Sequence, residues 1–444
     1  MTPGVDGGGD GIDSGTFTGE DGGAIVSKCG PLGEAIEHKT DITADETWGE
    51  GLHVVSFSVS IKNKATLTVL PCAVVRFQKE KGIFVGGANA GEEGTLVAEG
   101  EIDRAIVFEG ESADRWNDLL VYPKGSARLR YATIRGGGGD FSRAGGSLHL
   151  YGDPALPMQT LAKVEHVTIE GSGKYGAVLE THGGFSLDST DLTIRGSGDM
   201  ALLVSGSAVK SIPSGSYKGN TNDSIRLVAS KGYDQIVEDQ TIHDRGVPYF
   251  IGGDKSLFDL TINSPTTATL TIEAGVTLKF PKSDRASGLF VYGAVGATPA
   301  KGILKVAGTA EKPVVFTSAE AAPEAGDWVG VEFRDTPDAA NNIEHLRVEY
   351  AGGETGASSF SCGTPGATFE NSTQAAILIL GQPASQFVKN SVITHSAQNG
   401  FERGWTGTDI DFLSTNTFEN IAFCTQTAPR PSMGVCADPA PCPK

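Results

Sequence analysis

Apolar residues recur along this chain with a period near two, in short runs that glycine or asparagine interrupts every six to twelve residues. Val54, Val55, Phe57, Val59 and Ile61 make one such stripe, followed by Leu67 and Val69. This alternation predicts short half-buried β-strands, because successive strand side chains point to opposite faces. One signature returns as Leu129-Arg-Tyr-Ala-Thr-Ile134, Val164-Glu-His-Val-Thr-Ile169 and Ser189-Thr-Asp-Leu-Thr-Ile194, each followed by a charged residue and then glycine. It returns again as Ile343-Glu-His-Leu-Arg-Val348 and Val388-Lys-Asn-Ser-Val-Ile393. A unit of roughly two dozen residues, made of short strands and glycine turns, predicts a parallel β-solenoid. Coils stacked at the ~4.8 Å strand spacing turn equivalent residues into columns.

The pattern is also duplicated on a longer scale. Ala268-Thr-Leu-Thr-Ile272 and Val276-Thr-Leu-Lys-Phe280 read against Ala65-Thr-Leu-Thr-Val69 and Val74-Val-Arg-Phe77. Gly288-Leu-Phe-Val291 matches Gly82-Ile-Phe-Val85, and Trp328 matches Trp116. The copies lie about 205–215 residues apart and differ by loop insertions, not by order. The expected organisation is a first copy over 42–210 and a second over 236–420, within a β-helix over 25–420. Residues 1–24 are acidic, glycine-rich and poor in apolar side chains, so they read as a flexible tether. Residues 421–444 form a Cys/Pro-rich C-terminal segment.

The Thr-Ile-x-Gly rungs and the Leu-Thr-Ile…Val-Thr-Leu-Lys-Phe entry resemble right-handed parallel β-helix proteins of the pectin-lyase-like superfamily. More narrowly, they resemble its uncharacterised bacterial secreted or surface members. The resemblance spans about residues 42–420 and implies an all-β solenoid. It implies no activity, since that fold carries lyases, hydrolases, adhesins and inert spacers alike.

The net charge of −19 and pI near 4.8 argue against nucleic acid and anionic membrane, which both need a basic footprint. No apolar run is long enough to span a bilayer. The six cysteines, three of them within the last 21 residues, suit disulfides outside the cytoplasm. A Cys436–Cys442 staple is the first expected pairing and Cys29–Cys72 the second. None of the cysteines has zinc spacing, and no cofactor is expected. The chain is expected to be an extracellular or cell-surface monomer, tethered through a removed N-terminal anchor. A polysaccharide or a surface protein is the expected partner.

Candidate chemistry is sparse. Arg135, Glu170 and Arg195 share one column, whose alternating signs read as cross-strand ion pairs. Tyr131, His166 and Asp191 form a second column, with His345 and Asn390 in the other copy. Asn-Thr-Asp, an Asp-Asp pair, Gly-His-Gly and Arg-Ile-Lys are all absent; Thr181-His-Gly-Gly184 comes nearest. Asp188 and Asp191 share one rung, so they are not a carboxylate pair on adjacent coils. Trp116 and Trp328, being equivalent, are assigned to packing. Trp405 has no counterpart and sits in Asn399-Gly-Phe-Glu-Arg-Gly-Trp-Thr-Gly-Thr-Asp409. An exposed indole there, with Glu402, Arg403 and Asp409 to bond hydroxyls, is the candidate sugar-binding site. The alternative is a cap over the end of the solenoid. The expected function is non-catalytic binding of a glycan or partner along the elongated face. The alternative is a polysaccharide lyase or glycoside hydrolase.

Overall fold

The computed structural model describes residues 26–140, 142–232, 234–252, 259–282, 287–353, 374–431 and 442. The tether, Cys362 and Cys436 lie outside these residues. The chain is a right-handed parallel β-helix. In the N-terminal copy each coil lays one strand on each of three faces. The first face holds Ala65–Val69 and Gly94–Glu99, the second Ala73–Phe77 and Ile106–Gly110, and the third Ile83–Val85 and Leu119–Val121. Strands pair in parallel with the equivalent strand one coil on, as Leu67 with Leu96 and Val75 with Phe108.

The rung signature is a corner. Gly125–Arg135 pairs with the first face up to Arg130 and with the second face from Ala132, so the chain bends at Tyr131. Tyr131, His166 and Asp191 all have left-handed backbones, with φ of 43°, 53° and 50°. Their side chains stack as a column: the Tyr131 and His166 rings are 4.6 Å apart, and His166 Nδ1 lies 2.5 Å from Asp191 Oδ2. The glycine after each charged residue takes a left-handed turn too. Gly136, Gly171 and Gly196 turn the chain at φ of 71°, 67° and 67°, a region that side chains disfavour. In the second copy Tyr350, His395 and Asn420 take that turn, at φ of 61°, 52° and 51°.

The inward positions are those the alternation marks. Leu67, Val69, Val75, Phe77, Ile134, Ile169, Ile194, Leu270, Ile272, Leu278 and Phe280 are all buried in one continuous core. Phe57 is an exception at 59% exposed, because a turn separates Gly51–Val55 from Val59–Ile61 and breaks the stripe. Trp116 stacks on Phe77 and Trp328 on Phe280, each at 4.2 Å, and their indoles donate to Arg135 O and Glu349 O, each at 2.7 Å. The charge column forms ion pairs and is longer than its signature. It runs Arg76–Glu109 (2.8 Å), Glu109–Arg135 (3.5 Å), Arg135–Glu170 (2.8 Å) and Glu170–Arg195 (2.8 Å).

The two copies are out of step by one face. Val276–Phe280 is the sequence counterpart of Val74–Phe77 on the second face. Its strand Thr277–Phe280 nevertheless belongs to the thirteen-stranded sheet that carries the third face of the first copy. The change happens over one coil. The second face ends at Gly215–Ser216, and a fourth face begins where Ala229 and Ile236 bridge to Leu260 and Ile262. From there Leu260–Ile262, Gly288–Tyr292, Gly330–Arg334, Ala375–Ile379 and Asn399–Arg403 stack on this new face.

Disulfides hold both ends. Cys29 is bonded to Cys72, with Cα atoms 5.3 Å apart. The expected Cys436–Cys442 staple is not formed, because Cys442 is bonded to Cys424. Cys424 follows the last strand, Thr417–Ile421, so the bond ties the tail to the solenoid instead of to itself.

Candidate functional site: a cleft at the junction of the copies

The expected Trp405 site is not formed. The indole is 4% exposed, joins the main core, and donates from Nε1 to Thr408 O at 3.0 Å. Its neighbour Gly404 stays on the coil, donating its N–H to Ile379 O at 2.7 Å. Glu402 and Arg403 are buried as well. Glu402 accepts from Asn399 Nδ2 at 3.0 Å and Arg430 Nε at 2.7 Å, and burial pushes its carboxyl up to about 7 against the pull of Arg430. Arg403 donates to Thr427 O and Ile410 O and pairs with Asp409, whose side chain is exposed. With the indole packed in the core, its ring faces are not open to a sugar.

A different site opens where the fourth face begins. The third-face strands Gly146–Tyr151 and Tyr175–Glu180 turn there toward the first face. Below them Gly232 and the chain from Asp234 to Glu238 start the fourth face, and the turn Ser264–Thr266 follows its first full strand. A cleft of about 960 Å³ lies between, lined by Tyr151, Leu156, Glu180, His182, Asp234 and Glu238 among others. The widening follows from the change of step, because a corner that is a tight turn in the first copy becomes a strand-bearing face in the second.

The walls are fixed by polar bonds. His182 Nδ1 lies 2.5 Å from Leu156 O, so it carries the proton and donates. Glu238 Oε1 accepts from Met158 N at 2.9 Å, tying the same loop from its other end. Thr181 and His182 are consecutive left-handed residues, at φ of 50° and 68°. Such strain persists where surrounding bonds over-determine it.

Behind the wall, His149 is fully buried on the third face, with Nε2 3.0 Å from Glu180 Oε2. An ionised Glu180 only accepts, which makes Nε2 the donor and orients the carboxylate at the cleft rim. The other nitrogen, Nδ1, is buried without a hydrogen bond, 3.9 Å from Asp118 Oδ2. Asp234 lines the cleft, and no hydrogen bond reaches its carboxylate among the described residues. Burial pushes this carboxyl up to about 6; His182 pulls it down and Glu180 pushes it further up.

One wall of the cleft lies in a segment that matches a family model. Residues 259–335 match the pectate-lyase-like beta helix domain. No curated protein and no solved structure matches the chain. The segment matched to the pectate-lyase-like domain supplies one wall, Ser264–Thr266, and runs on through the first coils of the fourth face to Gly330–Arg334. Glu180, His182 and Asp234 lie outside it.

The other sequence candidates resolve into structure. Arg135, Glu170 and Arg195 pair with one another. Asp188 bonds Lys163 at 2.6 Å, while Asp191 bonds His166. Among the described residues no three His, Cys, Asp or Glu side chains group to hold a metal. None of the described helices is long and apolar enough to cross a membrane. The cleft residues had one partial sequence signal, Thr181-His-Gly-Gly184. Asp234 had only an indirect one, the interval 211–235 that belongs to neither copy.

Proposed function

We propose that this chain is a secreted or cell-surface β-helix protein that binds a glycan in the junction cleft. The observation that carries this reading is the convergence of Tyr151, Glu180, His182 and Asp234 on one cavity of about 960 Å³. A concave site with an aromatic wall and a few fixed polar groups suits a sugar, whose ring faces pack and whose hydroxyls bond. The ladders on the other faces offer no comparable convergence, since their charges are neutralised between coils. Disulfides at both ends accord with an oxidising compartment.

A second reading, glycoside hydrolysis at the same cleft, is favoured by Asp234 alone. A carboxyl held near 6 is in the range of a general acid. Glycan-array binding, run beside reducing-sugar and unsaturated-product assays, separates the two. Binding without product, lost in Glu180→Gln and Asp234→Asn, supports the first reading. Product formation lost in the same variants replaces it with the second, and array binding that both variants retain removes the cleft from either.

A further inference from the structure

We infer that the junction cleft is built for a sugar carrying a free amine, not a carboxylate. The inference rests on the glycan-binding reading and concerns the kind of sugar. The cleft is lined by three carboxylates, Glu180, Asp234 and Glu238, and by one imidazole, with no lysine or arginine among the described lining residues. Such a rim repels a uronate, and its described lining offers no cation to pair with one.

The available groups narrow the ligand further. Glu238 is engaged, accepting from Met158 N and lying 3.6 Å from Lys210 Nζ. Asp234 has no hydrogen bond to its carboxylate among the described residues, although it lines the cavity. Glu180 is held from behind by His149 through a single oxygen, Oε2. His182 carries its proton on Nδ1, bonded to Leu156 O, which leaves Nε2 as an acceptor. Asp234, Glu180 and His182 Nε2 are thus acceptors, two of them carboxylates. An ammonium group, with three donors and a positive charge, complements them; a neutral acetamide supplies one donor and no charge. Burial already disfavours the bare Asp234 anion, and an ammonium beside it relieves that cost.

The probes are a glucosamine tetrasaccharide, its fully N-acetylated counterpart and a galacturonate tetrasaccharide, each titrated calorimetrically into the full chain at pH 6.5. The glucosamine tetramer should bind at least tenfold more tightly than the N-acetylated one, with no heat from the galacturonate. Asp234→Asn should remove that tenfold preference. Asparagine tolerates the left-handed backbone at 234, where φ is 53°, so the variant keeps its fold. Because the whole protein is acidic, a polycation held by general surface charge is a competing outcome. It is recognised by unchanged binding in Asp234→Asn, and it overturns the proposal. Equal or tighter binding of the N-acetylated or galacturonate probe, lost in Asp234→Asn, overturns the amine preference and leaves the glycan site standing. No binding of any probe to a protein that does bind on the array has the same meaning. No glycan binding in either assay removes both.

Discussion

Replacing Trp116 or Trp328 by phenylalanine separates the two contributions of each indole. Both rings are buried and lie nearly parallel to a phenylalanine at 4.2 Å, Phe77 in one copy and Phe280 in the other. Both donate a 2.7 Å hydrogen bond from Nε1 to the carbonyl of the residue just before the left-handed turn. Phenylalanine keeps the stack and most of the apolar volume but loses the donor. A net hydrogen bond is worth about 1 kcal/mol, and an unsatisfied carbonyl adds a similar amount, so each Trp→Phe change should cost about 2 kcal/mol. Alanine also empties the ring volume, which in a packed core costs about 3–5 kcal/mol. The assay is urea unfolding followed by far-ultraviolet circular dichroism, with hydrogen exchange to show which coils open first, since solenoids need not unfold as one unit. The two phenylalanine variants should agree within about 1 kcal/mol even though their strands sit on different faces. A phenylalanine cost equal to the alanine cost would refute the hydrogen-bond part of the reasoning. Unequal costs in the two copies would refute their equivalence.

Three further outcomes are expected. At the N-terminal end, His38, Trp48 and His53 stack, with His38 Nε2 2.9 Å from His53 Nδ1. Burial, and for His38 also the neighbouring His53, depress both imidazoles, His38 from 6.5 to about 4. A depressed histidine favours the folded state only while neutral, so stability should fall as pH drops from 6.5 toward 4. Melting temperatures across that window should show a smaller loss in His38→Phe than in the parent chain. Trp405→Ala should cost about 3–5 kcal/mol locally. It should speed hydrogen exchange in Ala375–Ile379 and Asn399–Arg403 while leaving glycan binding at the cleft unchanged; lost binding with normal exchange would restore the indole as a sugar platform. Glu170→Gln, which breaks the last two ion pairs of the ladder, both partly exposed, should cost only about 1 kcal/mol in chemical denaturation.

The rungs were legible in the sequence because local rules govern them. Inward parity marks Ile134, Ile169 and Ile194, and the left-handed turn favours Gly136, Gly171 and Gly196. The ladder was half legible: Arg76 and Glu109 belong to it by register, yet their strands lack the Thr-Ile signature. Trp405 is buried where the sequence predicts an exposed indole, because the glycines beside it do not carry it off the coil. Gly400 instead lies on the last fourth-face strand, and Gly404 continues its bonding. The cleft was the least legible feature. Its carboxylates come from segments 54 residues apart, Glu180 and Asp234, which meet only because a new face starts between them. Which sheet a strand joins is decided by how many turns precede it around the axis, and no residue in the strand records that number.

The displaced face gives the solenoid something like a reading frame. Within one copy, removing a whole coil brings each remaining strand beneath one of its own kind. Across the junction that rule breaks, since Thr277–Phe280, of the Val74–Phe77 type, lies on the sheet that carries the third face. The interval between the copies thus behaves like a frameshift in three dimensions. It is unrepeated and short, and beyond it the counterpart of a second-face strand lies on the sheet of the third face. Shortening it back into frame would yield a longer uniform rod with every rung intact and no place left for a ligand.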